Sequence, residues 1–143
     1  MTTLFLLAQI GDQAVAFDAT TIQSVVDIVS VVAVPLSLPH VCGLSAIRSQ
    51  VVTVIDCRRA VGDSPASPKG RALVTSIDGH RYALRVDAVH DVVTKPVETL
   101  ESSALMSPHW RHVATGRIDM GEQFAVVVDP SCLVDPNTFA VAA

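Results

Sequence analysis

The sequence predicts an all-β protein assembled from two small barrels, and three observations carry that reading. Valine accounts for 24 of the 143 residues, so β-branched side chains dominate the apolar content and favour sheet over helix. Short apolar runs alternate with turn signals at roughly eight- to twelve-residue spacing, the pattern of a barrel or sandwich. A pattern also recurs along the chain. Arg71 to Leu84 matches Leu4 to Phe17 strand for strand and turn for turn, and Gly116 to Asp129 matches Gly43 to Asp56 in the same way. Identity between the halves is slight, so the repeat is one of pattern, and it argues for two similar β units side by side.

The elements follow in order. Leu4 to Ile10, the turn Gly11-Asp12-Gln13 and Ala14 to Phe17 read as a β-hairpin. Thr20 or Thr21 caps a single helical turn. Ile22 to Val29 is too β-branched for a comfortable helix and reads as a strand. Pro35 and Pro39 frame a rigid loop that delivers the chain to Gly43. Val51 to Ile55 is a buried strand stopped by Asp56, which caps a short helix ending at Gly62. Asp63 to Gly70, with two prolines and two serines, is the linker. It divides approximate halves at 4–62 and 71–134 of a single 1–143 domain, with exchange of strands between the halves allowed. In the second half the hairpin Arg71 to Leu84 is followed by a strand ended by Asp87, which is expected to accept local backbone hydrogen bonds. Helical turns are expected near Pro108 to Arg111 and over Pro130 to Val134, the latter with proline in its tolerated first turn and Asp129 as cap. Between two barrels lies an interface that must bury a share of the valines.

Composition narrows the function. Half of the residues are hydrophobic, 4% are aromatic and 17% charged, which excludes intrinsic disorder. Ten Lys and Arg stand against fourteen Asp and Glu, a formal charge of −4 without a basic run, so a phosphate-neutralising nucleic-acid face is not expected. No stretch reaches 18 apolar residues, so no direct membrane insertion is expected, and the first ten residues lack the basic region of a secretory signal. Three cysteines, Cys42, Cys57 and Cys132, are expected to be reduced, small, buried hydrophobes of a cytoplasmic protein.

The chain carries no phosphate-binding loop, dinucleotide fingerprint, nucleophile elbow or paired-cysteine metal motif, so no catalytic residue, cofactor or metal site is assigned and the protein is not expected to be an enzyme. His109 and His112 flank Trp110 at a spacing that shares a helical face, but no third ligand is spaced to complete a zinc site. The plainer reading is two solvated histidines beside an anchoring Trp110. His40 and Cys42 form an equally incomplete pair. Arg48, between Ile47 and Ser49 just before a buried strand, reads either as a solvated turn residue or as an interface arginine at a barrel edge.

With these residues in view the chain resembles the CheW-like family, the coupling proteins of bacterial chemosensory arrays. The family pattern has a strand V-x-E-V, a proline-containing loop, and G-V-x-N-L-R-G before a strand ending V-I-D-L-R. Here those stretches read Ile22 to Val25, Pro35 to Pro39, Gly43 to Ser49 and Val51 to Arg58. The later V-D-x-V-x-x-V signature appears as Val86 to Val92, and a closing glycine-to-aspartate signature spans Gly116 to Asp129. The match covers about Leu4 to Val134.

The resemblance implies two five-stranded SH3-like barrels packed around a shared hydrophobic interface, with a few short helices. It implies a non-catalytic adaptor that bridges the cytoplasmic tips of methyl-accepting chemoreceptors and the regulatory domain of the histidine kinase CheA. It places the protein in the cytoplasm, at membrane-associated receptor arrays. By position, Ile22, Ser24, Val25 and Arg48 would form the receptor-binding face, and the second half, Arg71 to Asp129, would carry the kinase contact. Ser24, Ala46 and Ser49 replace the glutamate, asparagine and glycine of the family pattern, so the turn around Arg48 must be built differently. A CheW-like module that competes for kinase or receptor without coupling them, and a small-molecule-binding β module using the inter-barrel groove, are the alternative readings. An exposed apolar patch favours an adaptor, and an enclosed polar-lined cavity favours a ligand binder.

Overall fold

A computed structural model of the chain describes residues 2–35, 38–62, 70–99, 110 and 113–134. Ten strands form two five-stranded sheets. The strands are β1 Thr2–Ile10, β2 Gln13–Asp18, β3 Ser24–Ile28, β4 Val41–Ile47, β5 Gln50–Asp56, β6 Gly70–Ile77, β7 His80–Arg85, β8 Ala88–Pro96, β9 Ala114–Asp119 and β10 Phe124–Val128. A 3-10 turn, Ala19–Thr21, follows β2, and two short helices, α1 Cys57–Ala60 and α2 Pro130–Val134, follow β5 and β10. Of the helical turn anticipated near Pro108 to Arg111 only Trp110, which is helical, is described, and all of the linker except Gly70, which opens β6, lies outside the described residues.

The sheet orders are β8-β1-β2-β10-β9 in barrel I and β3-β6-β7-β5-β4 in barrel II. The halves expected from the linker are therefore not the barrels. Barrel I takes its central hairpin from the first half and three strands from the second, while barrel II takes three strands from the first half and its hairpin from the second. The exchange of strands is complete. Hydrogen bonding dictates it: β2 pairs in parallel with β10, and β5 with β7, so each sheet is joined across the sequence midpoint.

The repeat seen in the sequence is nevertheless structural. Val126 lies opposite Val15 in barrel I, and Thr53 lies opposite Tyr82 at the corresponding position of barrel II. The edge strands correspond as well: Val92 faces Leu6, and Val25 faces Leu73. Each sheet curls until the segment after its first strand meets its last strand, through the bridge Glu98–Arg117 in barrel I and Val32–Leu44 in barrel II among the described residues. Closure needs glycine at the approach. A Cβ at Gly43, whose φ is +146°, would run into the Val32 carbonyl, and one at Gly116 would come within 2.7 Å of a Val97 methyl and 3.0 Å of the Glu98 carbonyl oxygen.

Alternation along the strands sorts the apolar side chains into three clusters. Phe5, Ala16, Ile118, Ala125 and Val127 fill barrel I, and Ile28, Val52, Val54, Ala72 and Ala83 fill barrel II. The third and largest cluster lies between the barrels and includes Leu6, Phe17, Ile55, Leu73, Leu84, Val126 and Leu133. Trp110, 6% exposed, anchors there as expected, whereas His109 and His112 lie outside the described residues. Cys57 and Cys132 are buried in the same cluster and Cys42 is half-buried beside barrel II, all three as free thiols.

The aspartates hold the connections. Asp56 accepts from the backbone N–H groups of Arg58 and Arg59, and Asp129 from that of Ser131, so both cap the helices that follow. Asp87 does not bond locally as expected. Its carboxylate accepts from the Gly11 N–H at 2.6 Å, 76 residues away in the β1–β2 turn, and lies 3.7 Å from the Arg58 guanidinium. His40 is buried and donates Nε2–H to the Val134 carbonyl at 2.6 Å, which tethers the segment before β4 to the end of α2. That bond gives it a structural role, in place of partnership with Cys42.

Candidate interaction surface

The four residues expected to form one face sit at the free edge of barrel II but point in two directions. Ser24 and Val25 are neighbours on β3, so the pleat sends them to opposite sides. Val25 shares its side with its cross-strand partner Leu73, a member of the central cluster, and therefore borders the groove between barrels with 38% of its surface exposed. Ile22, at the end of the 3-10 turn, is half-buried and packs against the same cluster. Ser24 faces the other way. It lines a depression of about 240 Å³ at the seam of barrel II together with Arg48, across from the hairpin turn joining β4 and β5. Ile22 and Val25 thus mark the groove, and Ser24 and Arg48 mark the barrel end.

The turn at Arg48 is built tightly despite its residues. Ile47 pairs with Gln50, which leaves Arg48 and Ser49 as a two-residue loop with φ of 51° and 67°. Two consecutive positive φ values are the signature of a type I′ turn, whose usual occupants are Asn and Gly. The equivalent hairpin turn between β6 and β7 uses Asp78-Gly79, with φ of 52° and 82°, in the expected chemistry. Arg48 and Ser49 carry Cβ atoms into a region that costs an L-residue about 1–3 kcal/mol. The backbone angles set the Cα–Cβ direction in which the exposed Arg48 side chain leaves the barrel.

An apolar strip adjoins this turn on the outer wall of barrel II. Leu44 and Ala46 lie two apart on β4 and share a side, Val32 bridges to Leu44, and Val51 faces Ala46. Val32 is 69% and Val51 65% exposed. Val29, Val34 and Leu38, in the connection leading to β4, are exposed as well. The hydroxyl of Ser45 donates to the Ser30 carbonyl at 2.7 Å and pins that connection against the barrel. These side chains together form an exposed apolar strip on barrel II.

A second depression, of about 380 Å³, lies on barrel I among Lys95, Pro96, Glu98, Asp119 and Gly121. It is open and rimmed by charge, unlike the enclosed apolar cavities that hold small ligands. Burial raises the Cys42 thiol to about 11, with the Asp56 carboxylate adding to the effect. Burial likewise raises Cys57 well above its ordinary value and Cys132 more modestly, so all three resist ionisation at neutral pH.

With this geometry in place, the comparisons with known proteins are decisive. The family model for the CheW-like domain matches residues 4–136. The chain belongs to the CheW-like domain family. A crystal structure of the scaffolding protein TtCheW from Thermoanaerobacter tengcongensis superimposes on this CheW-like chain with a TM-score of 0.80, at 19% sequence identity, covering 94% of each chain. At that identity the likeness establishes the fold: two SH3-like five-stranded barrels. A comparison with curated protein sequences gave no match. Among the described residues of this CheW-like domain no helix is long and apolar enough to cross a membrane.

Sequence reading missed two features of this surface. Arg81, which lines the seam depression with Arg48, belongs to no motif and reaches the site only because β7 lies inside the same barrel. The apolar strip was legible in part, since the run Val29 to Leu38 is rich in valine and leucine. Its joining to Leu44 and Val51 depends on barrel closure.

Proposed function

We propose that this protein is a non-catalytic chemosensory adaptor that couples the cytoplasmic tips of chemoreceptors to the regulatory domain of the histidine kinase CheA. The observation that carries the reading, beside membership of the family, is the exposed apolar strip of Val32, Leu44, Ala46 and Val51 adjoining the turn that presents Arg48. An apolar strip rimmed by an arginine has the chemistry of a protein contact, in which apolar surface contributes area and arginine anchors. Ile22 and Val25 at the groove and Ser24 and Arg48 at the barrel end are the proposed receptor face, wrapping the free edge of β3. The kinase contact is proposed for the second half, Arg71 to Asp129, whose strands β8, β9 and β10 belong to barrel I and whose hairpin β6–β7 belongs to barrel II. The site of action is the cytoplasmic side of the membrane, at the arrays the receptors form.

Co-sedimentation with receptor tips and kinase tests the reading. The wild-type protein should enter the pellet only when receptor is present and should carry kinase with it. Arg48→Ala should melt within about 0.5 kcal/mol of wild type, as surface substitutions do. It should weaken assembly by about 1–3 kcal/mol, the range of an interface anchor. Assembly of kinase and receptor that proceeds equally well without the protein would refute the coupling role. Binding to one partner while excluding the other would favour the competing module, a reading that the replacements at Ser24, Ala46 and Ser49 keep in view.

A further inference from the structure

We propose that the depression at the seam of barrel II is a docking site for a carboxylate side chain presented by a helical protein partner, held between Arg48 and Arg81. The identity of that partner as a receptor tip rests on the adaptor reading, but the chemistry of the site stands without it.

Two arginines, Arg48 and Arg81, and two neutral polar residues, Gln23 and Ser24, line the depression, and no acidic residue does. Among the described residues the side chains of Ser24, Arg48 and Arg81 make no hydrogen bond or ion pair, whereas Gln23 already donates to the Ser76 hydroxyl at 3.1 Å. Two arginines lining one depression on a protein of net charge −4 are a local reversal of sign, which favours an anion there. The guanidinium fork matches a carboxylate in two-point geometry.

The floor of the depression decides which anion. Ile47, Val52 and Val74 are apolar and offer no hydrogen bond from their side chains. A phosphate ion needs donors on all sides, so an apolar floor leaves part of its shell unsatisfied. A glutamate side chain fits both chemistries, with its methylenes on the valines and its carboxylate at the arginines. The space, about 240 Å³, admits a side chain but not a folded ligand of larger size. Ile47 and Arg48 follow Ala46 directly in the chain, so the Val32–Leu44–Val51 strip and the depression meet at this one hairpin turn. The two-residue turn fixes the Cα–Cβ direction of Arg48, so the backbone contributes no ordering cost on binding.

The test follows the arginine side-chain Nε–H resonances by NMR. One probe is a synthetic helical peptide with glutamates four residues apart on one face. Its twin carries glutamine at the same positions, and the third probe is inorganic phosphate. The glutamate peptide should shift the Arg48 and Arg81 signals together, and binding should weaken as salt is raised. Arg81→Gln should lower its affinity about tenfold, the usual effect of losing one charge-assisted hydrogen bond. Ser24→Glu places a carboxylate inside the depression and should abolish peptide binding without lowering the melting temperature. Equal binding of the glutamate and glutamine peptides, wild-type affinity in Arg81→Gln, or tighter binding of phosphate than of the peptide would each overturn the proposal. Co-sedimentation with receptor tips separates it from the adaptor reading. Uptake of the peptide but of no receptor refutes the adaptor and leaves the site standing. Undiminished receptor uptake by Ser24→Glu and Arg81→Gln refutes the site as the receptor contact and leaves the adaptor.

Discussion

Ser49 shows how a single backbone angle can outweigh a side chain. At φ of 67° its Cβ is strained, its side chain is exposed, and glycine would occupy the position freely. Ser49→Gly should therefore stabilise the protein by about 0.5–1 kcal/mol, the relief of strain exceeding the added entropy of the unfolded chain. An unchanged or lower denaturation midpoint would contradict the strain assigned to this turn. The cysteines respond to a different force. The half-buried Cys42 thiol titrates near 11 against an ordinary 9.0, because burial disfavours the thiolate. Alkylation of Cys42 in the native protein at neutral pH should run about a hundredfold slower than that of a free thiol, climbing about tenfold per pH unit until the thiolate forms. The stability effect has the corresponding sign. Below pH 9 the thiols are neutral in both states, and as pH rises beyond it the unfolded chain ionises first, so stability is lost on the alkaline side.

At the scale of elements, the critical features are the two closures. Among the described residues each barrel is sealed by a bridge and a glycine, and the two sites are unequal. At Gly43 the obstacle to a Cβ is backbone, the Val32 carbonyl, and the φ of +146° is itself hostile to other residues. At Gly116 the nearest obstacle is a Val97 methyl, which can move. Gly43→Ala should cost about 2–4 kcal/mol and Gly116→Ala less, since backbone strain and lost closure combine only at the first site. Loss of the Val32–Leu44 hydrogen bonds, read by amide exchange, should accompany the first substitution and not the second. Equal costs would show that side-chain crowding, and not backbone collision, governs both. Asp56 and Asp129 illustrate a simpler local rule. Each ends a strand and offers its carboxylate to the first free N–H groups of the next helix, which the sequence alone discloses.

For the molecule as a whole, the interleaving of the halves decides how the chain can fold. Neither half contains a complete sheet: residues up to Gly62 supply β1 to β5, of which two belong to one barrel and three to the other. A fragment of residues 1–62 should remain largely unfolded by circular dichroism, because its hairpin and its other strands each lack the partners that close a barrel. Mixing it with a fragment of residues 70–143 should restore the β spectrum and the native near-ultraviolet signal of Trp110, which lies in the cluster between barrels. A fragment that folds alone would refute the requirement for exchange. The central cluster draws on both barrels, so their association and their folding are one event.

The sequence by itself determined what depends on neighbours along the chain. The valine content and the short apolar runs between turn signals specified strands, Gly11-Asp12 and Asp78-Gly79 specified hairpin turns, and Asp56 and Asp129 specified caps, because each effect acts within a few residues. The recurrence of Leu4 to Phe17 in Arg71 to Leu84 disclosed the internal repeat for the same reason: equivalent strands need equivalent local patterns. Only the tertiary structure decided which strands share a barrel, since the parallel pairing of β2 with β10 and of β5 with β7 joins residues distant in sequence and leaves no local mark. It likewise decided that Asp87 reaches back to the Gly11 amide, that Ser24 and Val25 serve different surfaces, and that Arg81 meets Arg48. Those relations arise from closing curved sheets, where contact depends on strand order and register, and not on distance along the chain.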